Sequence, residues 1–410
     1  MASPRTSRRP VTAALTAALA ATVGTVVITT AALPAQAAPR PSAPAGQGTV
    51  VGAERPDAVK DSYIVTLRPG TSPRSAAGTA LVARYGGTVQ RVYTAALSGY
   101  ALTLPADAAR RLAADPAVEQ VVQDSTVHAD ATQYNPPSWG LDRIDQAKLP
   151  LDQKYTYPDS AGAGATVYVV DTGVRISHRD FGGRAVNGYD LVDDDAVAED
   201  GNGHGTHVAS TVAGVVAGVA KKAKVVAVRV LDANGSGSTS GVIAGIDWVT
   251  KHHSGPSVAN LSLGGGANTA LDTAVRNSIK SGVTYAVAAG NSASPAQNYS
   301  PARVAEALTV GSVDEKDNQS SSSNYGSAVD LFAPGVRITG AWHTDDGATN
   351  TISGTSMAAP HVAGAAAIYA GLHPSANAGQ VSKAVLDGAT KDVVHNPGPG
   401  TPNRLLRVIS

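Results

Sequence analysis

The chain has 410 residues, 43% of them hydrophobic, with 32 Lys and Arg balancing 32 Asp and Glu and no cysteine. Length and apolar fraction suffice for two domains and a large core. The charge balance gives no electrostatic case for nucleic acid, and disulfides are excluded as a source of stability. Arg5, Arg8 and Arg9 precede an apolar run from Val11 to Leu33, and Ala35-Gln36-Ala37 offers small residues for cleavage before Ala38. This is the pattern of an export signal over 1–37. An uncleaved membrane anchor is the alternative reading, and Arg8-Arg9 also permits twin-arginine export. No later segment is long and apolar enough to span a bilayer. Residues 38–58 are rich in Ala, Pro and Gly and read as a disordered linker.

Asp61-Ser62-Tyr63-Ile64-Val65-Thr66-Leu67 reads as a strand and residues 76–85 as a helix. Alternating strands follow at 88–92 and 100–104, then a helix over 106–114 and a strand at 118–122. This β-α-β-β-α-β order predicts a small α+β ferredoxin-like domain over 59–130. From 131 to 410 the pattern becomes buried strands alternating with helices. Strands are expected near 165–171, 224–231, 257–263, 283–289 and 307–313, and helices near 204–216, 239–253, 269–281, 356–371 and 378–389. Parallel strands with helical crossovers predict an α/β fold, a doubly wound, mostly parallel sheet covered on both faces.

Three segments of this second region carry chemistry. In Gly354-Thr355-Ser356-Met357-Ala358-Ala359-Pro360-His361 one serine stands between a glycine turn and an alanine-rich helical run. The first N–H groups of such a helix would face a reacting centre at Ser356, although a serine there can also be a plain helix cap. Asp171 ends a buried strand, where α/β sheets place their sites. His204 stands where the glycine loop Asp200-Gly201-Asn202-Gly203 runs into a helix. Acid, histidine and serine are the parts of an activated nucleophile. An aspartic-protease site would need a second Asp-Thr-Gly or Asp-Ser-Gly, and none occurs. A zinc pair would need a glutamate after His204, and a lipase elbow a glycine at Ala358. His207 and His361 are expected to pack or hydrogen-bond structurally. The acidic run Asp193-Asp194-Asp195, with Glu199 and Asp200, reads as a solvated loop rather than an ion site.

The chain order Asp171, His204, Ser356 is the subtilisin order. The three segments resemble the subtilisin-like serine peptidases, most closely the proteinase K branch, over residues 139–410. The resemblance implies that Asp171 orients the histidine, that His204 is the general base and that Ser356 is the nucleophile. It also implies that Asn291, otherwise readable as a turn residue, donates to the oxyanion. Gly235 and the Ser262-Leu263-Gly264 stretch, otherwise plain turns, become walls of a substrate cleft. The first pocket would be lined by Leu263, Gly264, Ala288, Ala289 and Gly290, whose small apolar walls suggest broad specificity with a preference for apolar side chains.

A structural calcium is implied at Asp330 with the carbonyls of Ala305 and Ala307, the alternative being a capping or salt-bridged aspartate. No catalytic cofactor is implied. Residues 59–130 resemble the inhibitory propeptide of such enzymes, whose tail Ser125–Asp130 would lie in the cleft as a product, with the join within a few residues of Ala131. The expectation is thus a secreted, monomeric serine endopeptidase without a stable membrane anchor, made as a self-inhibited zymogen and acting on proteins or peptides. A peptide-binding homologue without catalysis and a serine hydrolase acting on esters are the competing readings.

Overall fold

The structure is a computed structural model that describes residues 46–54, 58–125 and 130–408. The export-signal reading, most of the linker and residues 126–129 of the tail lie outside the described residues. The chain divides into two compact units, built on Val59–Asp124 and on Ser125–Ser410.

The first unit runs β1 (Val50–Val51), β2 (Ala58–Leu67), α1 (Ala76–Tyr85), β3 (Thr88–Tyr93), β4 (Gly99–Thr103), α2 (Ala106–Ala113) and β5 (Val118–Ser125). Its sheet has the order β1-β5-β2-β4-β3. Alternation along β2 buries Tyr63, Val65 and Leu67 against Leu81, Val82 and Tyr85 of α1 and Ala108, Ala109 and Leu112 of α2. Ser75 caps α1 by accepting from the Gly78 N–H. The strand β1 falls within the stretch expected as linker, and its Val50 and Val51 pair with Val121 and Val122. The edge of β5 has backbone groups to satisfy, and a two-residue extended segment takes them up.

The second unit opens with β6 (Asp130–Tyr134), α3 (Trp139–Ile144) and β7 (Lys154–Pro158), with β6 and β7 forming an antiparallel ribbon. Asp130, expected as the last residue of the small domain, therefore sits in a ladder of the larger one. Next come β8 (Thr166–Asp171), β9 (Ala185–Asp190), α4 (His204–Ala213), β10 (Lys224–Arg229), α5 (Thr239–His252) and β11 (Ser257–Leu261). Then follow β12 (Gly265–Gly266), α6 (Thr269–Ser281), β13 (Val283–Ala288), β14 (Tyr299–Ser300), β15 (Leu308–Val313) and β16 (Leu331–Pro334). The chain closes with β17 (Ile338–Ala341), β18 (Thr349–Ile352), α7 (Thr355–Leu372), α8 (Ala378–Gly388), β19 (Thr390–Lys391) and β20 (Arg404–Leu405).

Nine strands form one sheet in the order β19-β20-β16-β15-β13-β11-β8-β10-β9, parallel except for the β19–β20 pair. The strand order reverses at β8, which pairs with β10 on one side and β11 on the other. A sheet of this type carries its site at the carboxyl ends of the strands beside that reversal. Alternate residues of β8 enter different cores. Val167 and Val169 join α4, α7 and α8 on one face, while Tyr168 and Val170 join α5 and α6 on the other. Both faces are thus covered, which is why the strands read as continuous apolar runs.

Candidate active site

Three elements bring the site together. Strand β8 ends in Asp171, which is fully buried. Its Oδ1 accepts from the Thr172 N–H at 2.7 Å and from His204 Nδ1 at 2.7 Å. Its Oδ2 has no hydrogen-bond partner among the described residues. His204 is the first residue of α4, with a quarter of its side chain exposed. Burial by itself would lower the imidazole pKa. The charge and hydrogen bond of Asp171, reinforced by the charge of Asp200, outweigh it and hold the ring above its ordinary value.

Ser356 is the second residue of α7. Gly354 precedes the helix at φ 152°, a conformation that favours glycine, and a Cβ there would press on the Asn291 amide. Pro360 has no N–H, so the Ser356 carbonyl lacks its helical donor. The Ser262 hydroxyl supplies one at 2.7 Å. In return Ser356 Oγ donates to the Ser262 carbonyl at 3.1 Å. Among the described residues no hydrogen bond joins Ser356 Oγ to His204; such bonds often tighten only when substrate is bound.

Asn291 follows β13. Its Oδ1 accepts from the Thr355 N–H at 2.8 Å and the Thr355 hydroxyl at 3.0 Å, which orients the amide and leaves Nδ2 as its donor. The turn carrying it is held by the buried Asn324, which accepts from Ser292 N and Ser294 N and donates to the Ala289 carbonyl. Asn260 supports Ser262 in the same way, at 2.9 Å. Thr355 lies in the motif around Ser356 but was not given a role of its own, and Asn324 and Asn260 were not legible as site residues, because nothing in their local sequence marks them.

A cavity of about 220 Å³ opens beside Ser356 and Asn291. Leu263, Gly264, Ala288, Ala289 and Gly290 line it, as does Tyr299, which the sequence did not single out. No charged side chain does. A longer cleft of about 550 Å³ runs from His204 past Gly235, Ser262 and Leu263 to Leu231, Val242 and Leu271. The structure thus brings together all the residues singled out for catalysis and substrate binding. His207 and His361 are fully buried, each with one ring nitrogen bonded to a backbone carbonyl, of Ile338 and Met357 respectively.

The acidic loop divides. Asp193, Asp194, Asp195 and Glu199 are exposed, but Asp200 is only 4% exposed, so its assignment to a solvated loop is corrected. Asp330 lies apart from the cleft, with Oδ2 accepting from the Thr309 N–H at 2.8 Å. Burial pushes its carboxyl up to about 6, and among the described residues no cationic side chain pairs with it. A half-buried carboxylate that feels the charge of Arg404 but forms no ion pair with it fits a cation. Among the described residues no group of three or more His, Cys, Asp or Glu could hold a metal, so any ion here would depend mainly on carbonyl donors.

A buried acid bonded to a histidine, a serine at a helix N-terminus and an oriented amide, all at the strand ends of a doubly wound sheet, define a serine protease of the subtilisin-like class. The family model described as the subtilase family matches residues 162–405, and one described as peptidase inhibitor I9 matches 62–130. The chain belongs to the subtilase family. It is 50% identical over 386 residues to an extracellular serine proteinase of Thermus sp. (strain Rt41A), covering 89% of this chain and 94% of that protein. It is 52% identical over 328 residues to alkaline serine exoprotease A of Vibrio alginolyticus, covering 78% of this chain and 60% of that protein's length. A crystal structure of a cold adapted subtilisin-like serine proteinase superposes with a TM-score of 0.65 at 54% identity, covering 66% of this chain and 98% of that one.

Proposed function

We propose that this subtilisin-like serine protease is a secreted endopeptidase, with Asp171, His204 and Ser356 as its catalytic triad and Asn291 in its oxyanion hole. The observation that carries the reading is the 2.7 Å bond from His204 Nδ1 to the buried Asp171, at a cleft that shares Leu263 and Gly264 with the cavity lined by Ser356 and Asn291. That bond fixes the tautomer that leaves Nε2 free to act as base.

Attack begins when the Ser356 hydroxyl exchanges the Ser262 carbonyl for His204 Nε2. Oγ bonds to the scissile carbonyl carbon as its proton passes to Nε2. The oxyanion is held by Asn291 Nδ2 and the Ser356 N–H. The carbon–nitrogen bond then breaks, and the imidazolium protonates the leaving amine. Water, deprotonated by His204, attacks the acyl-enzyme, and Ser356 leaves with the proton restored. The uncharged 220 Å³ cavity takes the side chain before the cut, so apolar side chains are preferred. Exposed backbone at Gly235 and Leu263–Gly264 pairs with an extended peptide. The segment 59–130, matched over 62–130 by the inhibitor I9 model, acts as an intramolecular inhibitor and folding aid, and residues 131–410 form the peptidase, working as a monomer. Residues 1–37 direct export. Asp330 and the carbonyls of Ala305 and Ala307 would hold a structural calcium, which would supply positive charge to the half-buried carboxylate and take no part in the reaction.

The test is Ser356→Ala. It is expected to abolish peptide hydrolysis and to leave a folded, full-length chain still carrying the 59–130 segment. Normally processed, active protein would overturn the assignment.

A further inference from the structure

Asp200 is the one carboxylate of its loop taken out of water, and both its oxygens are fully used. Oδ1 accepts from the Thr172 hydroxyl at 2.9 Å, Asn202 N at 2.9 Å and Gly203 N at 2.8 Å. Oδ2 accepts from Thr206 N at 2.9 Å and the Thr206 hydroxyl at 2.6 Å. All five partners are donors, which suits a carboxylate. Burying such a group is costly unless it is hydrogen-bonded this completely, and among the described residues it has no ion-pair partner. A loop that needed only to turn would have no use for it.

The partners belong to the two segments that carry the catalytic acid and base. Thr172 directly follows Asp171. Gly203 is the N-cap of α4, His204 its first residue and Thr206 its third. Gly203 has no side chain to cap the helix, and Asp200 does so from three residues upstream, with its charge at the positive end of the helix dipole. The Thr172 hydroxyl closes the bracket by accepting from Gly205 N at 2.9 Å. The two segments touch so closely that a Cβ on Gly205 would lie 2.1 Å from the Gly173 carbonyl oxygen.

We propose that Asp200 is a positioning residue of the catalytic pair, acting through Thr172 and the first turn of α4 to fix His204 against Asp171 and to stabilise the imidazolium formed during proton transfer. This rests on the triad reading above. The titratable groups that face His204 are Asp171 at the end of β8, Asp200 itself and His207 one turn along α4. The Trp342-His343 segment packs on Gly203, and Arg175 donates its N–H to the Thr206 hydroxyl. Of these groups only Asp171 and Asp200 bring negative charge to the ring. Asp171 touches it, and Asp200 adds charge from behind while holding the geometry.

The experiment compares Asp200→Asn, Thr172→Val, Thr172→Ser and Ser356→Ala in the full-length chain. Steady-state kinetics of the enzyme freed of its 59–130 segment are followed across pH, and the His204 ring is titrated by NMR in the inactive Ser356→Ala background, with and without Asp200→Asn. Asp200→Asn is expected to lower kcat about 10- to 100-fold with KM within about twofold, the size of a slight misplacement of reacting groups. The acidic limb of kcat/KM and the His204 titration should both move to lower pH, because a negative charge favouring the imidazolium is gone. A merely structural loop residue would change the amount of folded enzyme and leave both where they are, and that result overturns the proposal. If Asp200→Asn does not fold, the threonine pair decides. Thr172→Val should lower kcat and Thr172→Ser should restore it, whereas full kcat in Thr172→Val, or no rescue by serine, overturns the proposal. Activity remaining in Ser356→Ala would instead refute the triad reading.

Discussion

The small unit and the large one bury their apolar residues by different routes. In the small unit a single hydrophobic cluster lies between the sheet and two helices, fed by alternating residues of β2 and one face each of α1 and α2. Its edge strand β3 is almost wholly exposed, with Val89 42% and Val92 39% accessible. The large unit covers both faces of its sheet, and α7 is buried on nearly all sides. A unit with one thin core has little stability in reserve, while one with two cores can lose part of either and still fold.

Matched core truncations should break this comparison most visibly. Leu102 in β4 is 1% exposed and Leu261 in β11 is fully buried, so Leu→Ala should cost about 2–5 kcal/mol at either site. The same loss should unfold the small unit and leave the large one folded but less stable, as read by limited proteolysis and circular dichroism of the whole chain. Equal protection of both units would contradict the difference in reserve.

Asn291→Leu separates the site from the scaffold. Removing such a donor in subtilisin itself costs about 100- to 1000-fold in kcat, and a loss of that order is expected here with KM little changed. Thermal unfolding of the small unit should be unchanged, while the large unit loses the two bonds from the buried Thr355 to Asn291 Oδ1 and about 1–3 kcal/mol with them. A defect confined to KM would remove Asn291 from the oxyanion hole.

Acid should act on one unit alone. The buried rings of His207 and His361 are held down to about 4, chiefly by burial. Their folded values lie below the unfolded value near 6.5, so their contribution is complete above pH 6.5 and declines as pH falls to about 4. The loss is roughly 3 kcal/mol per ring. No histidine occurs between residues 46 and 125, so the small unit has no such dependence. Denaturant midpoints measured at pH 7 and pH 4.5 should fall for the large unit only.

Calcium removal should give the smallest effect, again in the large unit. The Asp330 carboxyl sits near 6 when only protein surrounds it. Its own contribution is therefore full below its unfolded value near 3.8 and disappears as pH rises through 6. A cation that neutralises it would matter most above pH 6. With the ion at 100 times its Kd, native-state binding is worth about 2.7 kcal/mol, a shift of several degrees in Tm. Asp330→Ala should abolish the sensitivity to chelator. A Tm unmoved by chelator at pH 8 would leave Asp330 a simple cap for Thr309.

The two units also differed in what their sequences disclosed. Amphipathic alternation made β2, α1, β3 and α2 visible with nearly correct ends. In the large unit the long apolar strands β8, β10, β11, β13 and β15 were visible, but several others were not. Gly188 interrupts β9, an edge strand whose pairing with β10 shifts register near Val228, and Pro334 ends the four-residue β16. The ribbons β6–β7 and β17–β18 are short and gain their definition from tertiary pairing. At the site, Asp171, His204 and Ser356 stand in local patterns that single them out, whereas Asn291 reads locally as a turn residue and is singled out by the family resemblance. Asp200 does not, because its burial depends on the fold of the following turn and on the Thr172 hydroxyl from a distant strand end, while its own stretch looks like an ordinary acidic turn.

The helix that carries Ser356 has no solvent side: from Met357 to Ala370 every residue is buried, mostly alanine and glycine packed against the sheet. Enlarging any of these side chains would cost about 1–3 kcal/mol, so the proposed nucleophile rests on ground that tolerates little variation. Much of the cleft wall lies on exposed backbone around Asn234–Thr239 and Gly264–Gly266. On the proposed assignment, catalysis and recognition are therefore separable under mutation: libraries confined to those two loops should diversify what is cut without disturbing the atom that cuts it.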